Sequence, residues 1–455
     1  MTDDPSVKIS DLPKIVNQGL CIGCGFCTIP LDAKNDNAKV QMKWSNQQEI
    51  WVPVISNNVK DQNKKRICPG KIMNMTALSN EIYGSQPKDS MVGHYQNISV
   101  GYSTDEDIRT RAASGGVTTS ILMYLFSSNK IDVAYTAAGL SPYNGKGILA
   151  ENIQDLKNCA GSHYHPVNFG AALTKLADSK KRFALVGLPC EVSAMHEVMR
   201  YRPDIKKRCQ LMVGLFCGGI NRFSGISSYL ENFIAKGEKV SKINYRDGIW
   251  PGQIKLTMKE KNKSIFIQRI RKNSRINILR YMISFQGYSM LPRCRMCPDQ
   301  IADFADIAVG DPHLKRFKIN ENNGYSAIVA RTTRGSDLLK ETVKQGMIAI
   351  EELTRDELVM SQGHTLENRR FTEVTIKIAE LLGMNAPQIG LYDANKGSLN
   401  WHQYVYAFVD LGKIRIRKWK WLRPFYLPIQ IFEYIFLTFS IRVILAKLKK
   451  ILKNT

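Results

Sequence analysis

Ten cysteines stand in the 455-residue sequence, and their spacing is its most chemical feature. Cys21, Cys24 and Cys27 follow one another as C-x2-C-x2-C, with Gly23 and Gly25 between them, and Cys68 comes much later, directly before Pro69. Thiolates two residues apart converge on one centre when the backbone curls round it. Glycine permits the curl and lets backbone N–H groups approach inorganic sulfur. The set therefore points to a [4Fe-4S] cluster. Zinc is the rival, since it also takes four thiolates, though more often from two separated C-x2-C pairs. Cys294 and Cys297 form a further C-x2-C in LPRCRMCPD. Cys190 and Cys217 each close an apolar run of strand length, at 182–190 and 209–217. Two thiols at neighbouring strand ends, with a C-x2-C loop, would make a second four-thiolate site. Buried core thiols are the competing reading of that pair. Cys159 and Cys209 have no partner by spacing and read as structural.

Elements of an α/β fold must position these groups. The apolar runs 131–139, 182–190 and 209–217, with later ones at 305–311 and 325–332, suit strands buried on both faces of a mostly parallel or mixed sheet. Helix-like segments follow, such as 191–200 and 223–236. Residues 1–80 carry the first cysteine set, 81–93 look like a linker, 94–390 form the α/β region, and 391–455 form a basic, apolar tail. Three turns could cradle a cofactor: Ser114-Gly115-Gly116 before a helical stretch, Gly161-Ser162, and Gly187-Leu188-Pro189. A glycine turn entering a helix offers free N–H groups to a phosphate. No G-x-G-x-x-G follows a strand, so a dinucleotide fingerprint is not supported.

Composition narrows the setting. The first residues, MTDDPSVKIS, are acidic and polar and lack the apolar stretch of a signal peptide. A cytoplasmic location is expected, where clustered cysteines hold metal or do redox work rather than form disulfides. The net charge of +24 calls for an anionic partner. Residues 413–455 hold eleven Lys or Arg and one Glu. Their apolar stretch 424–441 suits peripheral contact with the inner face of the cytoplasmic membrane, docking on a partner subunit or the core, or a short span. No nucleic-acid motif is present, and nucleic acid is not expected as a partner.

The stretches ASGGVTTSIL (113–122), GSHY (161–164), LVGLPCEVSAM (185–195), GLFCGGINRFSG (214–225), YRDG (245–248) and CRMCPDQIADFADIAVGD (294–311) occur in the order of a known family. The chain resembles the coenzyme F420 hydrogenase/dehydrogenase beta-subunit family. The resemblance implies an FAD-binding α/β domain, with Ser114, Gly115 and Gly116 against the flavin and a [4Fe-4S] cluster on Cys190, Cys217, Cys294 and Cys297. It also makes the N-terminal set look like an added ferredoxin-like module.

The expected function is then that of an iron–sulfur flavoprotein oxidoreductase. Electrons would enter from a ferredoxin or partner redox subunit at the N-terminal cluster, cross the second cluster, and reach FAD and a hydride-accepting small molecule such as coenzyme F420. Arg246, Lys315 and Arg316 are candidates for an anionic substrate tail. His163, His165 and His313 are candidate proton donors. The alternative is a non-catalytic electron-transfer or scaffold subunit of a membrane-associated complex.

Overall fold

The apolar runs form the middle of a nine-stranded sheet. In a computed structural model, residues 4–417 are described except 35–37, 57–60, 249, 251, 261–262, 269–280, 282–283, 285–287, 320–323 and 396–400; beyond 417 only Trp421, Phe425 and Pro428 are. The strands are β1 (Asn97–Ser103), β2 (Val133–Ser141), β3 (Asn144–Ala150), β4 (Val167–Asn168), β5 (Phe183–Gly187), β6 (Cys209–Leu215), β7 (Ile307–Gly310), β8 (Ser326–Ala330) and β9 (Ile348–Glu352). Their spatial order is β9-β1-β8-β7-β6-β5-β2-β3-β4. The central four, β7, β6, β5 and β2, run parallel. Strands β8, β1 and β9 on one side pair antiparallel with their neighbours; on the other, β3 runs antiparallel to β2 and β4 runs parallel to β3. The sheet is therefore mixed.

Alternate residues of the central strands serve two cores. Leu185 and Met212 pack with Val192, Met195 and Val198 of α2 (Pro189–Tyr201) on one face. Ala184, Val186 and Val213 pack with Val117, Ile121 and Leu125 of α1 (Val117–Ser127) on the other. Every residue of β5 and of β8 is buried. Burial on both faces explains why these strands are apolar throughout instead of alternating with polar residues.

The N-terminal residues contain more regular structure than their sequence suggests. Val40–Ser45 and Ile50–Ile55 form an antiparallel hairpin, and Ser6–Lys8 pairs with Lys65–Ile67. Phe26, Ile29 and Ile67 share a core with Leu173 and Leu185 of the sheet region. The stretch 81–93, read as a linker, has Met91 and Val92 buried. Their carbonyls accept hydrogen bonds from Arg369 and Arg331. Both guanidiniums close on buried Asp303, which also accepts from the Tyr392 hydroxyl at 3.0 Å. Burial would raise the Asp303 carboxyl, but the two arginines hold it below its ordinary value.

A second, antiparallel sheet joins Val240–Asp247, Gln253–Met258 and Ser264–Gln268. Its inward residues Ile254, Leu256, Met258 and Ile267 pack on Ile226, Tyr229 and Leu230. Near the C-terminus, α3 (Trp401–Ile416) buries Ala407, Leu411 and Ile414 with Val374, Ile378 and Met296. The membrane-contact expectation for 413–455 falls almost wholly outside the described residues. Among the described residues no helix is long and apolar enough to cross a membrane.

Candidate redox and cofactor site

Strand geometry brings Cys190 and Cys217 side by side. Parallel β5 and β6 align Gly187 with Gly214, so the chain leaves both strands at the same edge of the sheet. The sequence reading carried β5 to Cys190. The strand instead stops at Gly187, because Pro189 opens α2 and fixes its own φ for a helix start. Cys190 therefore sits in the first turn of α2. Cys217 lies two residues past β6, and its N–H donates to the Gln300 carbonyl at 2.9 Å. The N–H of Gly219 donates to Cys217 Sγ, and that of Ile220 to Cys294 Sγ, both at 3.4 Å. The C-x2-C loop thus meets the loop after β6.

In the first set, Gly23 and Gly25 adopt φ of 73° and 79°, the left-handed region that the curl requires. Cys68 follows the strand that pairs back on Ser6–Lys8, which closes the long interval from Cys27. Cys21, Cys24, Cys27 and Cys68 together line a small cavity walled by Leu12, Ile15 and Met42. Burial pushes the Cys21 thiol up to about 12, and the Cys68 charge adds to the rise. Cys24 and Cys27 rise for the same reasons. In the second set burial lifts Cys294 to about 11, with Cys297 adding repulsion. Cys190 rises through burial and then through Glu191, Cys297, Cys24 and Cys217. Neighbouring thiols thus add to the rise within each set, and Cys24 adds to that of Cys190 across the two. Among the described residues no three His, Cys, Asp or Glu side chains converge as they would on a single metal ion.

Both sets abut one large cavity of 740 Å³. Cys24, Cys190 and Cys217 line it, as do Ser114, Gly116, Gly161, Ser162, His163, Gly187 and Arg246. Gly115 and Pro189 are not among its lining residues. Gly115 is packed instead: a Cβ there would stand 2.5 Å from the Gly101 carbonyl oxygen, and its N–H donates to Ser326 Oγ at 2.9 Å. Gly116 has φ of 80° and leads into α1, whose Val117, Thr118 and Thr119 face the cavity. The helix start thus opens on it, as an anionic group would need.

The charged candidates divide. Arg246 is buried and ties three segments together: it donates to Asp311 Oδ2, to the Tyr164 hydroxyl at 3.2 Å and to the Ala113 carbonyl at 3.1 Å. Burial alone would raise Asp311, but Arg246 holds it below its ordinary value. Arg246 is thus largely neutralised by Asp311 rather than free for a substrate tail. His313 is half-exposed, stacked near Trp250 and 4.0 Å from Asp311, and does not line the cavity. Neither Lys315 nor Arg316 lines it, and Arg316 pairs with Glu357 at 3.1 Å. His163 lines it, has no partner at Nε2 among the described residues, and is lowered to about 4 by burial. His165 bonds the Tyr245 hydroxyl through Nδ1 and Ser227 through Nε2 at 3.1 Å; burial takes it to about 3. Both rings are neutral at pH 7.

Sequence reasoning missed Glu191 and Asp311. Glu191 lines the cavity beside Cys190, accepts from the Leu188 N–H at 2.7 Å, and is raised to about 7 by burial. Its signal was present: a Glu at the third helical position after a Pro start is a capping residue. Asp311 carried none, because its partner is 65 residues away.

Fold and site define an α/β protein with two thiol clusters beside one ligand-sized cavity at the carboxyl ends of parallel strands. Two sequence profiles identify it further. Both describe the beta subunit of coenzyme F420 hydrogenase/dehydrogenase: the profile of its N-terminal part matches residues 98–174, and the profile of its C-terminal part matches 180–356. Together they cover more than half of the chain, which belongs to this family. The coenzyme F420 hydrogenase subunit beta of Methanothermobacter thermautotrophicus is 21% identical over 310 residues, 65% of this chain and 99% of that one. The F420-dependent formate dehydrogenase subunit beta of Methanocaldococcus jannaschii is 26% identical over 253 residues, 55% of this chain and 60% of that one. The coenzyme F420-dependent sulfite reductase of the same organism is 23% identical, but only 36% of its length is matched. Among solved structures, a chain of the F420-reducing [NiFe] hydrogenase complex from Methanosarcina barkeri shares the fold. Its TM-score is 0.51 at 20% identity, covering 66% of this chain and 97% of that one.

Proposed function

We propose that the chain is an iron–sulfur flavoprotein oxidoreductase that passes electrons between a ferredoxin or partner redox subunit and a hydride-accepting small molecule such as coenzyme F420. Residues 1–80 would form the first-cluster module, 94–390 the flavin domain with the second cluster, and 391–455 a tail, in a reducing compartment. One observation carries the reading: Cys24, Cys190 and Cys217 line the same 740 Å³ cavity as Ser114, Gly116, Gly161 and Ser162 of the glycine turns. Such a volume suits a cofactor with a substrate beside it.

The residues fit the groups. The four N-terminal thiols line one small cavity. The C-x2-C-x2-C spacing of Cys21, Cys24 and Cys27 favours a multi-iron cluster over zinc. Cys21, Cys24, Cys27 and Cys68 would hold one [4Fe-4S] cluster, and Cys190, Cys217, Cys294 and Cys297 the other. Bound FAD would supply hydride exchange on one side and single-electron exchange on the other. The start of α1, with Ser114 and Gly116, would face the phosphates. Arg246 holds the turn at Ala113 and the GSHY segment at fixed separation. Glu191, with its carboxyl near neutrality, can hold or release a proton at Oε1 while Oε2 keeps its bond to Leu188. Neutral His163 offers a second proton site on the cavity wall.

Anaerobic purification with iron, sulfide and flavin analysis tests the reading. It requires about eight irons and one flavin per chain. About four irons would remove one cluster, and zinc in place of iron would end the redox reading of that site. Flavin bleaching by reduced coenzyme F420 is expected; no bleaching with any hydride donor would favour a scaffold subunit.

A further inference from the structure

We propose that the outward face of the three-stranded sheet spanning Val240–Gln268 docks an acidic redox protein. The inference rests on the redox function above and adds where the partner binds. Antiparallel register puts Asn244, Lys255 and Phe266 in one cross-strand row, and Lys242, Thr257 and Ser264 in the next. Directly opposed residues share a face. The other face holds Ile254, Leu256, Met258 and Ile267 in the core. The row therefore points to solvent, where alternation calls for polar residues.

Phe266 breaks that pattern. It is 52% exposed, with the Lys255 ammonium 5.5 Å from its ring centre. Lys242 is exposed beside it. At the end of the sheet the Lys259 N–H bonds the Lys239 carbonyl at 2.7 Å and gathers exposed Lys239, Lys259 and Lys263. Glu238 pairs with Lys263 at 3.6 Å, and Glu260 is the other acid of this end among the described residues. The face thus carries an exposed aromatic beside Lys255 and Lys242, with Lys239, Lys259 and Lys263 at its end and Asp247, opposite Gln253, as the acid of the outward rows. An aromatic anchor within a charged rim is how proteins bind partners of opposite charge. A lipid surface would need several apolar side chains, and here one stands alone among the described residues.

Position gives the face its function. Lys242 and Asn244 belong to the outward rows and also line the large cavity. A protein seated on Phe266 and Lys255 would meet the cavity rim and exchange electrons with the bound cofactor there, not at the N-terminal cluster where the sequence reading places entry.

The test uses full-length holoprotein and a strongly acidic [2Fe-2S] ferredoxin as the probe. Binding is measured by calorimetry at low and high salt, and electron exchange by stopped flow. Lys242→Glu/Lys255→Glu should weaken low-salt binding by about tenfold or more, and Phe266→Ala by about fivefold. Far-ultraviolet circular dichroism should match wild type, since all three side chains stand on the outward face. Lys14→Glu/Lys43→Glu, beside the first cysteine set, should change binding little. Unchanged binding in the face variants, or a loss that follows Lys14 and Lys43 instead, would overturn the proposal. So would equal dependence on this face for retention of anionic phosphatidylserine vesicles or DNA. Binding that depends on the face but yields no electron exchange would sink the redox reading and leave the dock standing.

Discussion

Replacing Arg246 by Met tests how the cavity wall is held. Arg246 and Asp311 are paired with side chains 11% and 13% exposed, and Trp250 Nε1 also donates to Asp311 at 3.3 Å. Removing one partner of a buried pair leaves an uncompensated charge and costs about 3–5 kcal/mol. Unfolding entropy of roughly 2.1 cal/mol/K per residue makes each kcal/mol worth about 1 °C in a chain of 455 residues. The melting temperature of the variant should therefore fall by about 3–5 °C at pH 7. The sign of the pH dependence is fixed as well. In the wild type Asp311 lies below its ordinary value of 3.8, so its stabilising contribution is present above that pH and is lost only in stronger acid. Without Arg246, burial raises the carboxyl, and the penalty is relieved as it takes up a proton. The gap to wild type should narrow from pH 7 to pH 5. Arg246→Met/Asp311→Asn should recover part of the loss at pH 7. Differential scanning calorimetry of the apoprotein across this range reads both effects. A gap under 1 °C at pH 7, or one that does not move with pH, would refute the argument.

Three further outcomes are expected. Glu191 is raised by burial from 4.5 to about 7, so the folded state holds its proton longer than the unfolded one, and stability falls as pH rises through that window. Glu191→Gln should remove that slope, worth about 3 kcal/mol, in melts between pH 5 and 8. At Gly145 a Cβ would stand 2.5 Å from His163 Nε2, so Gly145→Ala must displace the ring; flavin affinity should drop with about 1–3 kcal/mol of stability, and an unchanged flavin dissociation constant would remove His163 from the binding wall. Cys68→Ser and Cys297→Ser should each lose about four irons per chain and spare the other cluster. Loss of all iron from either variant would show that the sets do not assemble independently.

What the sequence carried was mostly local. The spacing of Cys21, Cys24 and Cys27 is visible because one loop holds all three. The central strands are visible because burial on both faces leaves them continuously apolar. Cys68 is different: its place depends on the hairpin at 40–55 and on pairing between Lys65–Ile67 and Ser6–Lys8. Gly115 resembles a phosphate-turn glycine in sequence, but the close approach of Gly101 and Ser326 is what excludes a side chain there. Arg246 looked like a free cation because Asp311 is remote in sequence. His313 follows a strand end, as cavity residues do, yet the chain turns it outward. The alternation in Gln253–Met258 marks a half-buried strand, but which residues share its outer face is a matter of register, and register depends on its neighbours.

The two cysteine sets hold their relation to each other through contacts that neither motif encodes. Glu49, at the tip of the hairpin between Cys27 and Cys68, has φ of 55°, and its carbonyl accepts from the Phe223 N–H at 3.1 Å. Its carboxylate accepts from the Ser224 N–H at 3.0 Å and pairs with Arg417 at 2.8 Å. Arg222 adds a bond to the Gln48 carbonyl. The first-set hairpin therefore grips the loop that follows Cys217, and Ile50 and Trp51 are laid along the cavity wall as a result. Helix α3 braces the same arrangement from outside. Asp410 pairs with Arg295, between Cys294 and Cys297, at 3.0 Å, and Arg417 just past the helix holds Glu49. Ala407, Leu411 and Ile414 seat the helix by burial. Two ion pairs tie it down, one against each thiol-bearing region. Burial keeps those pairs from the screening that weakens surface ones. A helix outside both motifs and beyond the family match thus contacts both thiol-bearing regions.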